Sequence, residues 1–155
     1  MEPVQVEGIE QLRELIGREL GPTEWVEVTQ EDIDRFADVS RDHQWIHVDP
    51  ERAAKESPYG TTVAHGNLTL SLVDFFRPQL IQNSGVKMGI NYGFNKVRFP
   101  AAVPAGTRVR ARAEILTVEE LGAGWWHVVT KFTIDGEHSE KPVCVAEGVG
   151  RALVA

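Results

Sequence analysis

The sequence predicts an α+β fold in which one strongly bent antiparallel sheet wraps around a long central helix. The first observation is that residues 64–82, AHGNLTLSLVDFFRPQLIQ, have almost no polar face, and a helix that is apolar on all sides is normally buried on all sides. The second is that four long segments of alternating polarity follow: KMGINYGFNKVRFP, GTRVRARAEILTVEEL, GWWHVVTKFTIDG and EKPVCVAEGVGRALVA. Successive strands joined by short turns pair antiparallel.

The N-terminal part predicts short elements that precede the central helix. A helix is expected where apolar residues recur at helical spacing, and Gly21 can end it; its stripe is Ile9, Leu12, Leu15 and Ile16. The alternation in TEWVEVTQ predicts a short strand. Thr29 is the expected N-cap of the next helix, with Asp32 completing a shortened capping box. The apolar stripe of that helix is Ile33, Phe36 and Val39.

Two prolines mark further helix boundaries. Asp49 is an expected N-cap and Pro50 takes the first helical position, so ERAAKES is predicted to be a short helix and SPYGTT a loop. Pro78 should kink or end the central helix. The long strands would leave an open sheet edge, and such an edge is a liability that pairing with a second copy removes. We therefore expect a homodimer.

Composition limits the classes of function. A chain of 155 residues fits one domain, residues 1–155, and its formal net charge of −7 argues against a general nucleic-acid binder. Arg108, Arg110 and Arg112 are expected to line the solvated face of one strand. No apolar run approaches the length of a membrane span, no signal peptide is apparent and the single cysteine, Cys144, cannot form an internal disulfide. These features favour a cytoplasmic protein with Cys144 as an inert core thiol.

The segment RDHQWIHVDPERA, residues 41–53, concentrates acids and imidazoles around an apolar pair. Asp42 and His47 could share a water molecule, one taking its proton and the other returning a proton to the product. Gln44 could hold the water or orient Asp42. Trp45 and Ile46 would form an apolar wall that excludes water and strengthens electrostatic interactions in the site. The structural alternative is that Asp42 caps a turn and His47 is a hydrogen-bonded core histidine.

A metal site is a weaker interpretation of the same segment. His43 and His47 are four residues apart, as in the H-E-x-x-H motif. Gln44 stands where that motif has its general base, and the nearby Pro50 favours a loop over a helix. We therefore expect no metal.

The tripeptide AHG opens the central helix. Unpaired N–H groups at a helix N-terminus stabilise negative charge, so the amide of Gly66 could form an oxyanion hole beside a carbonyl group. The alternative is an ordinary glycine at a helix start. Ser71 is a weak nucleophile candidate that could instead satisfy a backbone carbonyl or contact a ligand.

Three segments in order resemble the MaoC-like dehydratase family, the (R)-specific enoyl-CoA hydratase branch of the hotdog-fold proteins, and within it the nodulation-protein-N-like subgroup. They are FADVSRDHQWIHVDPERA, TTVAHGNLTLSLV and INYGFNKVRFPAAVPAGTRVRARAEI, and the resemblance covers about residues 25–150. The family motif Gly-Asp-x-Asn-Pro-x-His is matched at Asp42 and His47, and the helix-opening glycine at Gly66. Arg41, Gln44 and Trp45 stand where the family has Gly, Asn and Pro.

The resemblance implies a hotdog fold, usually dimeric, and a hydro-lyase. Its substrate would be an acyl-CoA or acyl-carrier thioester, with water added to trans-2-enoyl-CoA to give the (3R)-3-hydroxyacyl thioester, or removed in reverse. Asp42 and His47 would be catalytic and Gly66 the oxyanion donor, with Gln44 and Ser71 as candidate substrate-binding residues. No cofactor is expected, since CoA enters only as part of the substrate. The alternatives are a hotdog acyl-CoA thioesterase and a non-catalytic acyl-thioester-binding subunit.

Overall fold

The computed structural model describes residues 2–154 and confirms the predicted mixture of helices and antiparallel sheet. The helices are α1 (Gly8–Glu14), α2 (Gln30–Ser40), α3 (Trp45–Val48), α4 (Pro50–Glu56) and α5 (Gly66–Leu80). The strands are β1 (Val4–Val6), β2 (Glu19–Leu20), β3 (Val26–Val28), β4 (Ile81–Asn83), β5 (Met88–Arg98), β6 (Thr107–Gly122), β7 (Trp125–Gly136) and β8 (Cys144–Leu153).

The main sheet has the strand order β2-β6-β7-β8-β5, and β3 also pairs with β6. Strands β6, β7 and β8 are antiparallel neighbours in sequence order, as predicted, whereas β5 crosses over to pair with β8 at the far edge. Register shifts interrupt the β6–β7 and β5–β8 ladders. Such bulges bend and twist a sheet, which lets these long strands curve around α5. A separate parallel pair joins β1 to β4.

Helix α5 is buried on one face only, which corrects the prediction that it is covered on all sides. Val73, Phe76 and Leu80 lie in the main core against residues of β6, β7 and β8. Phe75 keeps 49% of its surface exposed, and Asp74 is exposed beside it. The helix passes Pro78 and ends two residues later. Apolar composition alone did not distinguish the covered face from the open one.

Local capping signals were accurate. The Thr29 hydroxyl accepts from the Asp32 amide at 3.1 Å and the Asp32 carboxylate accepts from the Thr29 amide at 3.0 Å, forming the predicted capping box of α2. Asp49 accepts from the Arg52 amide at 3.1 Å and caps α4, with Pro50 in the first turn. A loop was expected between α2 and α4, but this part of the chain contains the single-turn helix α3.

Predictions for the outer residues of the two early helices were wrong. Helix α1 ends at Glu14, well before Gly21, because the chain turns after it with Gly17 at a φ of 84°. Ile16 therefore lies outside the helix and is exposed. Val39 lies in α2 but points away from the core, with 84% of its surface exposed.

The arginines of β6 line the outer face of the sheet, as predicted. Arg108 pairs with Glu137 at 2.8 Å, and the guanidinium holds the pKa of that carboxyl below its ordinary value. Arg112 pairs with Asp135 at 2.8 Å, and Arg110 lies over the Trp25 ring at 4.3 Å. Each of these cations thus has a local partner on the strand face.

Cys144 is fully buried in the core, and burial raises the pKa of its thiol to about 11. The raised pKa and the lack of access make it unreactive, as the sequence predicted. Among residues 2–154, no helix combines the length and hydropathy needed to cross a membrane.

Candidate active site

The segment that carries Asp42 begins with an unusual backbone conformation. Arg41 ends α2 in the left-handed region, with a φ of 66°, a conformation that Gly adopts readily and that costs a residue with a side chain about 1–2 kcal/mol. The Asp42 carboxylate then accepts from the Gln44 amide at 3.2 Å. Asp42 therefore caps a turn, as the alternative to a catalytic role predicted. The same hydrogen bond also fixes the direction of the carboxylate.

His47 lies in α3 with only 7% of its surface exposed. Its Nδ1 is 2.6 Å from the carbonyl oxygen of Val63. Because a carbonyl can only accept, Nδ1 carries the hydrogen, and in the neutral ring the lone pair lies on Nε2. His47 is therefore a hydrogen-bonded core histidine, and that bond leaves its other nitrogen available for proton transfer.

The structure brings Asp42 and His47 together, as the sequence predicted. One carboxylate oxygen of Asp42 and one ring nitrogen each of His47 and His65 all lie within 4.8 Å of one another. A gap of this size suits one water molecule that hydrogen-bonds to both a carboxylate and an imidazole. The pair can thus take up and release protons across a shared water.

His65 is a third member of this cluster that the sequence interpretation missed. Its ring stacks on His47 with the centroids 3.8 Å apart and the planes 22° apart. Its Nε2 is 2.9 Å from the Asp42 carbonyl oxygen. The tripeptide AHG was interpreted only for its glycine. The type of residue at position 65 was a usable signal, but its partners lie some twenty residues away in sequence and only the fold reveals them.

The same three residues are the group best suited to hold a metal ion among residues 2–154, but their geometry fits poorly. A histidine binds a metal through a lone pair in its ring plane, about 2.0–2.1 Å away for zinc. Two nearly parallel stacked rings direct their lone pairs side by side, so they do not converge on one ion. His43, the other histidine considered for a metal, instead pairs with Asp38 at 2.9 Å on the surface.

Gly66 is the first residue of α5, so its amide has no acceptor within the helix. A cavity of about 340 Å³ lies against it and is also lined by His47. A Cβ atom at position 66 would lie 3.0 Å from the Phe99 ring. The absence of a side chain therefore lets the Phe99 ring pack directly against the helix start, and both border the cavity from which a carbonyl group could reach the amide.

The other predicted residues are placed less centrally. Ile46 lines the cavity as expected, whereas Trp45 lies under the Arg52 guanidinium at 4.3 Å and does not line it. The Gln44 side chain is exposed, and its contribution is the backbone bond to Asp42. Ser71 is exposed on α5, and its hydroxyl donates to the Leu68 carbonyl at 2.6 Å, which is the backbone role that the sequence left open.

The sequence interpretation also missed most of the cavity wall. Tyr59, Thr69 and Phe99 line it together with the apolar turn that follows Phe99 and with Val143. These residues come from four separate parts of the chain. No local pattern marks them, because they meet only in the folded chain.

Comparison of the sequence with known proteins identifies the family of this chain. The sequence model described as MaoC like domain matches residues 11–134. The chain belongs to this family. The 3-hydroxyacyl-thioester dehydratase Z of Mycobacterium tuberculosis is 50% identical over 145 residues, covering 94% of this chain and 95% of that protein. Nodulation protein N of Rhizobium leguminosarum bv. viciae is 43% identical over 138 residues, covering 86% and 84%.

Solved structures of MaoC-like hotdog proteins share the fold at low identity. The monoamine oxidase regulatory protein from Archaeoglobus fulgidus superposes with a TM-score of 0.79 at 24% identity, covering 100% of this chain and 99% of that one. The (R)-hydratase from A. caviae involved in PHA biosynthesis gives a TM-score of 0.65 at 21% identity, covering 87% and 94%. The predicted hotdog fold, a bent antiparallel sheet around a central helix, is confirmed.

The bond between His47 and Val63 can be tested by paired substitutions. In His47→Asn the side-chain amide can take the place of the Nδ1–H group, whereas in His47→Leu a side chain of similar size leaves the buried Val63 carbonyl without a donor. We expect His47→Leu to lower the free energy of unfolding by about 1–3 kcal/mol more than His47→Asn, as measured by urea denaturation. Equal losses in the two variants would show that this bond does not hold His47.

Proposed function

We propose that this chain is a hydro-lyase that adds water to the 2,3 double bond of a trans-2-enoyl thioester and forms the (3R)-3-hydroxyacyl thioester, or removes it in reverse. The observation that carries the proposal is the placement of Asp42 and His47 within reach of one water, with His47 lining a cavity that the start of α5 also lines. Membership of the MaoC-like family and the 50% identity to a protein named 3-hydroxyacyl-thioester dehydratase support it.

The chemistry requires two proton transfers and a stabilised negative charge. As the water oxygen bonds to C3, one member of the Asp42–His47 pair takes a proton from that water. The π electrons of the double bond move toward the carbonyl, and the Gly66 amide stabilises the resulting enolate oxygen. The pair then delivers that proton to C2, so Asp42 and His47 end in the protonation states in which they began. Because one cluster of side chains both activates the water and protonates C2, the hydroxyl group and the proton add to the same face of the double bond.

The cavity favours this reaction because its wall is largely apolar. His47 is nearly buried, and Ile46, Phe99 and Val103 contribute apolar surface beside it. Low local polarity strengthens the attraction between a developing oxyanion and a fixed amide dipole. Removing one such donor from other enzymes costs about 3 kcal/mol of transition-state stabilisation. We expect the Gly66 amide to contribute on this scale.

Hydration is redox-neutral, so the proposed reaction needs no redox cofactor. The two proton transfers need no metal either, since a carboxylate and an imidazole supply them. CoA, or an acyl-carrier phosphopantetheine arm, would be present only as part of the substrate. We place the reaction in cytoplasmic fatty acid metabolism, where such thioesters are processed.

The first test of this function removes the Asp42 charge. Asp42→Asn keeps an acceptor for the Gln44 amide but cannot take a proton, so we expect the rate of crotonyl-CoA hydration to fall by at least about 100-fold with the fold retained. The measurement is loss of enoyl-thioester absorbance. The matched control is Asp38→Asn, which changes an exposed acid near the same segment that pairs with His43 on the surface.

The outcomes of that assay separate the alternatives. Unchanged hydration in Asp42→Asn would contradict the mechanism. Release of free CoA thiol without hydration would indicate a thioesterase. Binding of acyl-CoA without turnover, across a series of chain lengths and carrier-bound substrates, would indicate a non-catalytic thioester-binding subunit.

We also propose that the chain is a homodimer joined through β5. This strand is the edge of the main sheet, and its outer side has no partner strand among residues 2–154. Apolar side chains along it are exposed: Met88, Ile90, Tyr92 and Phe94. A long apolar edge invites pairing with another strand, and two copies related by a two-fold axis would pair β5 with β5 antiparallel.

A charge placed on this edge tests the dimer. Ile90 and Ile16 are similarly exposed, at 43% and 44%, but Ile16 lies in the turn after α1 and not on the open edge strand. We expect Ile90→Glu to convert the dimer to a monomer, because the two-fold axis would bring like charges into an apolar contact. We expect Ile16→Glu to leave the dimer unchanged. Light scattering after size exclusion measures the mass. A monomeric wild type, or a dimeric Ile90→Glu, would contradict this interface.

A further inference from the structure

We propose that His65 is a positioning residue of this site, which holds the Asp42–His47 pair in register with the Gly66 amide. The inference rests on the proposed function, since it concerns the groups that carry out the hydration. It goes further by assigning a role to a buried histidine that does not itself border the cavity. Three observations support it, and they concern the Nε2 atom, the ring face and the backbone of His65.

The first observation is the hydrogen bond to the Asp42 segment. His65 is 3% exposed, and its Nε2 donates to the Asp42 carbonyl at 2.9 Å. The segment it holds is otherwise exposed and starts from the left-handed Arg41. A buried donor is therefore what anchors an exposed loop at the position where the Asp42 carboxylate can reach His47.

The second observation is the stack on His47. The ring of His65 covers the face of the His47 ring at 3.8 Å and also contacts Phe36 at 4.9 Å. The Val63 carbonyl fixes His47 at one edge, through Nδ1. An edge bond alone permits the ring to rotate about it, and a ring packed on the face opposes that rotation. His65 thus determines where Nε2 of His47 points.

The third observation is the place of His65 in the chain. It is the N-cap of α5 and directly precedes Gly66. Its backbone is anchored on both sides, because its carbonyl accepts from the Thr69 amide at 3.2 Å and the Ala64 amide donates to Val103 at 2.8 Å. One residue therefore connects all three working groups: the carboxylate, the imidazole and the oxyanion amide.

His65 is suited to holding rather than to exchanging protons. Its Nε2 hydrogen is committed to the Asp42 carbonyl, and its Nδ1 is buried with no hydrogen-bond partner among residues 2–154. The cavity is lined by His47 and Gly66 but not by His65. A substrate in this cavity would therefore meet His47 and Gly66. Asp42 does not line the cavity either, and would act through the water that it shares with His47.

Two substitutions of similar size separate this role from simple packing. Gln places its side-chain amide nitrogen near the position of Nε2 and can still donate to the Asp42 carbonyl, whereas Leu cannot. We expect His65→Leu to lower kcat for crotonyl-CoA by about 100-fold with little change in KM, and His65→Gln to recover most of that loss. His43→Leu, which removes an exposed histidine from the same segment, should retain the wild-type rate.

A second readout does not depend on turnover. The Gln44 amide reports on the Asp42 turn through its bond to the carboxylate. We expect hydrogen exchange at that amide to be faster in His65→Leu than in His65→Gln, with similar midpoints of urea unfolding for the two. If wild-type protein hydrates neither crotonyl-CoA nor any longer or carrier-bound enoyl thioester, the proposed function fails, and the exchange rates alone decide the role of His65.

The inference is overturned by any of three results. His65→Leu could keep wild-type kcat, the Gln and Leu variants could lose kcat equally, or the Gln44 amide could exchange at the same rate in both. The first two results can be measured only if the wild-type protein is active. They therefore cannot be confused with failure of the hydratase proposal.

Discussion

Two chain segments hold each other at the start of α5, and the site depends on this reciprocal contact. His47, from the first segment, donates to the carbonyl of Val63 in the second at 2.6 Å, and His65, from the second, donates to the carbonyl of Asp42 in the first at 2.9 Å. The Val63 amide also donates to the Ile46 carbonyl at 3.0 Å. Each histidine satisfies a backbone oxygen of the opposite segment, so neither segment is correctly placed without the other.

The rest of the fold supplies the rigidity that this contact needs. The C-terminal half of α5 is anchored by Phe76 and Leu80, which are fully buried between the helix and the sheet. That anchor fixes the direction of the helix, and hence the position of the Gly66 amide at its other end. The bulged sheet curves around the buried face only, which leaves Phe75 on an open face and β5 on an open edge.

Short-range features of the sequence were sufficient wherever the interaction itself was short-range. The Thr29–Asp32 box and the Asp49–Pro50 start depend on residues within one helical turn, and both are present. Asp42 and His47 are five residues apart, so their common location could be inferred from spacing and from family resemblance. Gly66 could be assigned because it opens a helix that the apolar pattern already predicted.

Features that depend on long-range packing could not be predicted in this way. Nothing near position 65 indicates that its ring stacks on His47, because the register between the two segments is set by the whole fold. Trp45 was expected in the cavity wall but turns toward Arg52 in the next helix, α4. The apolar composition of α5 predicted complete burial, yet which face is covered depends on how the sheet curves around the helix.

The most direct measurement of the central claim is the stereochemistry of crotonyl-CoA hydration in D₂O, determined by NMR and chiral analysis of the product. With Asp42 and His47 on one side of the substrate and the enolate held at Gly66, the product should be the (3R)-3-hydroxyacyl thioester with one deuteron at C2, on the same face as the hydroxyl. A (3S) product, or deuterium distributed over both C2 positions, would contradict the account.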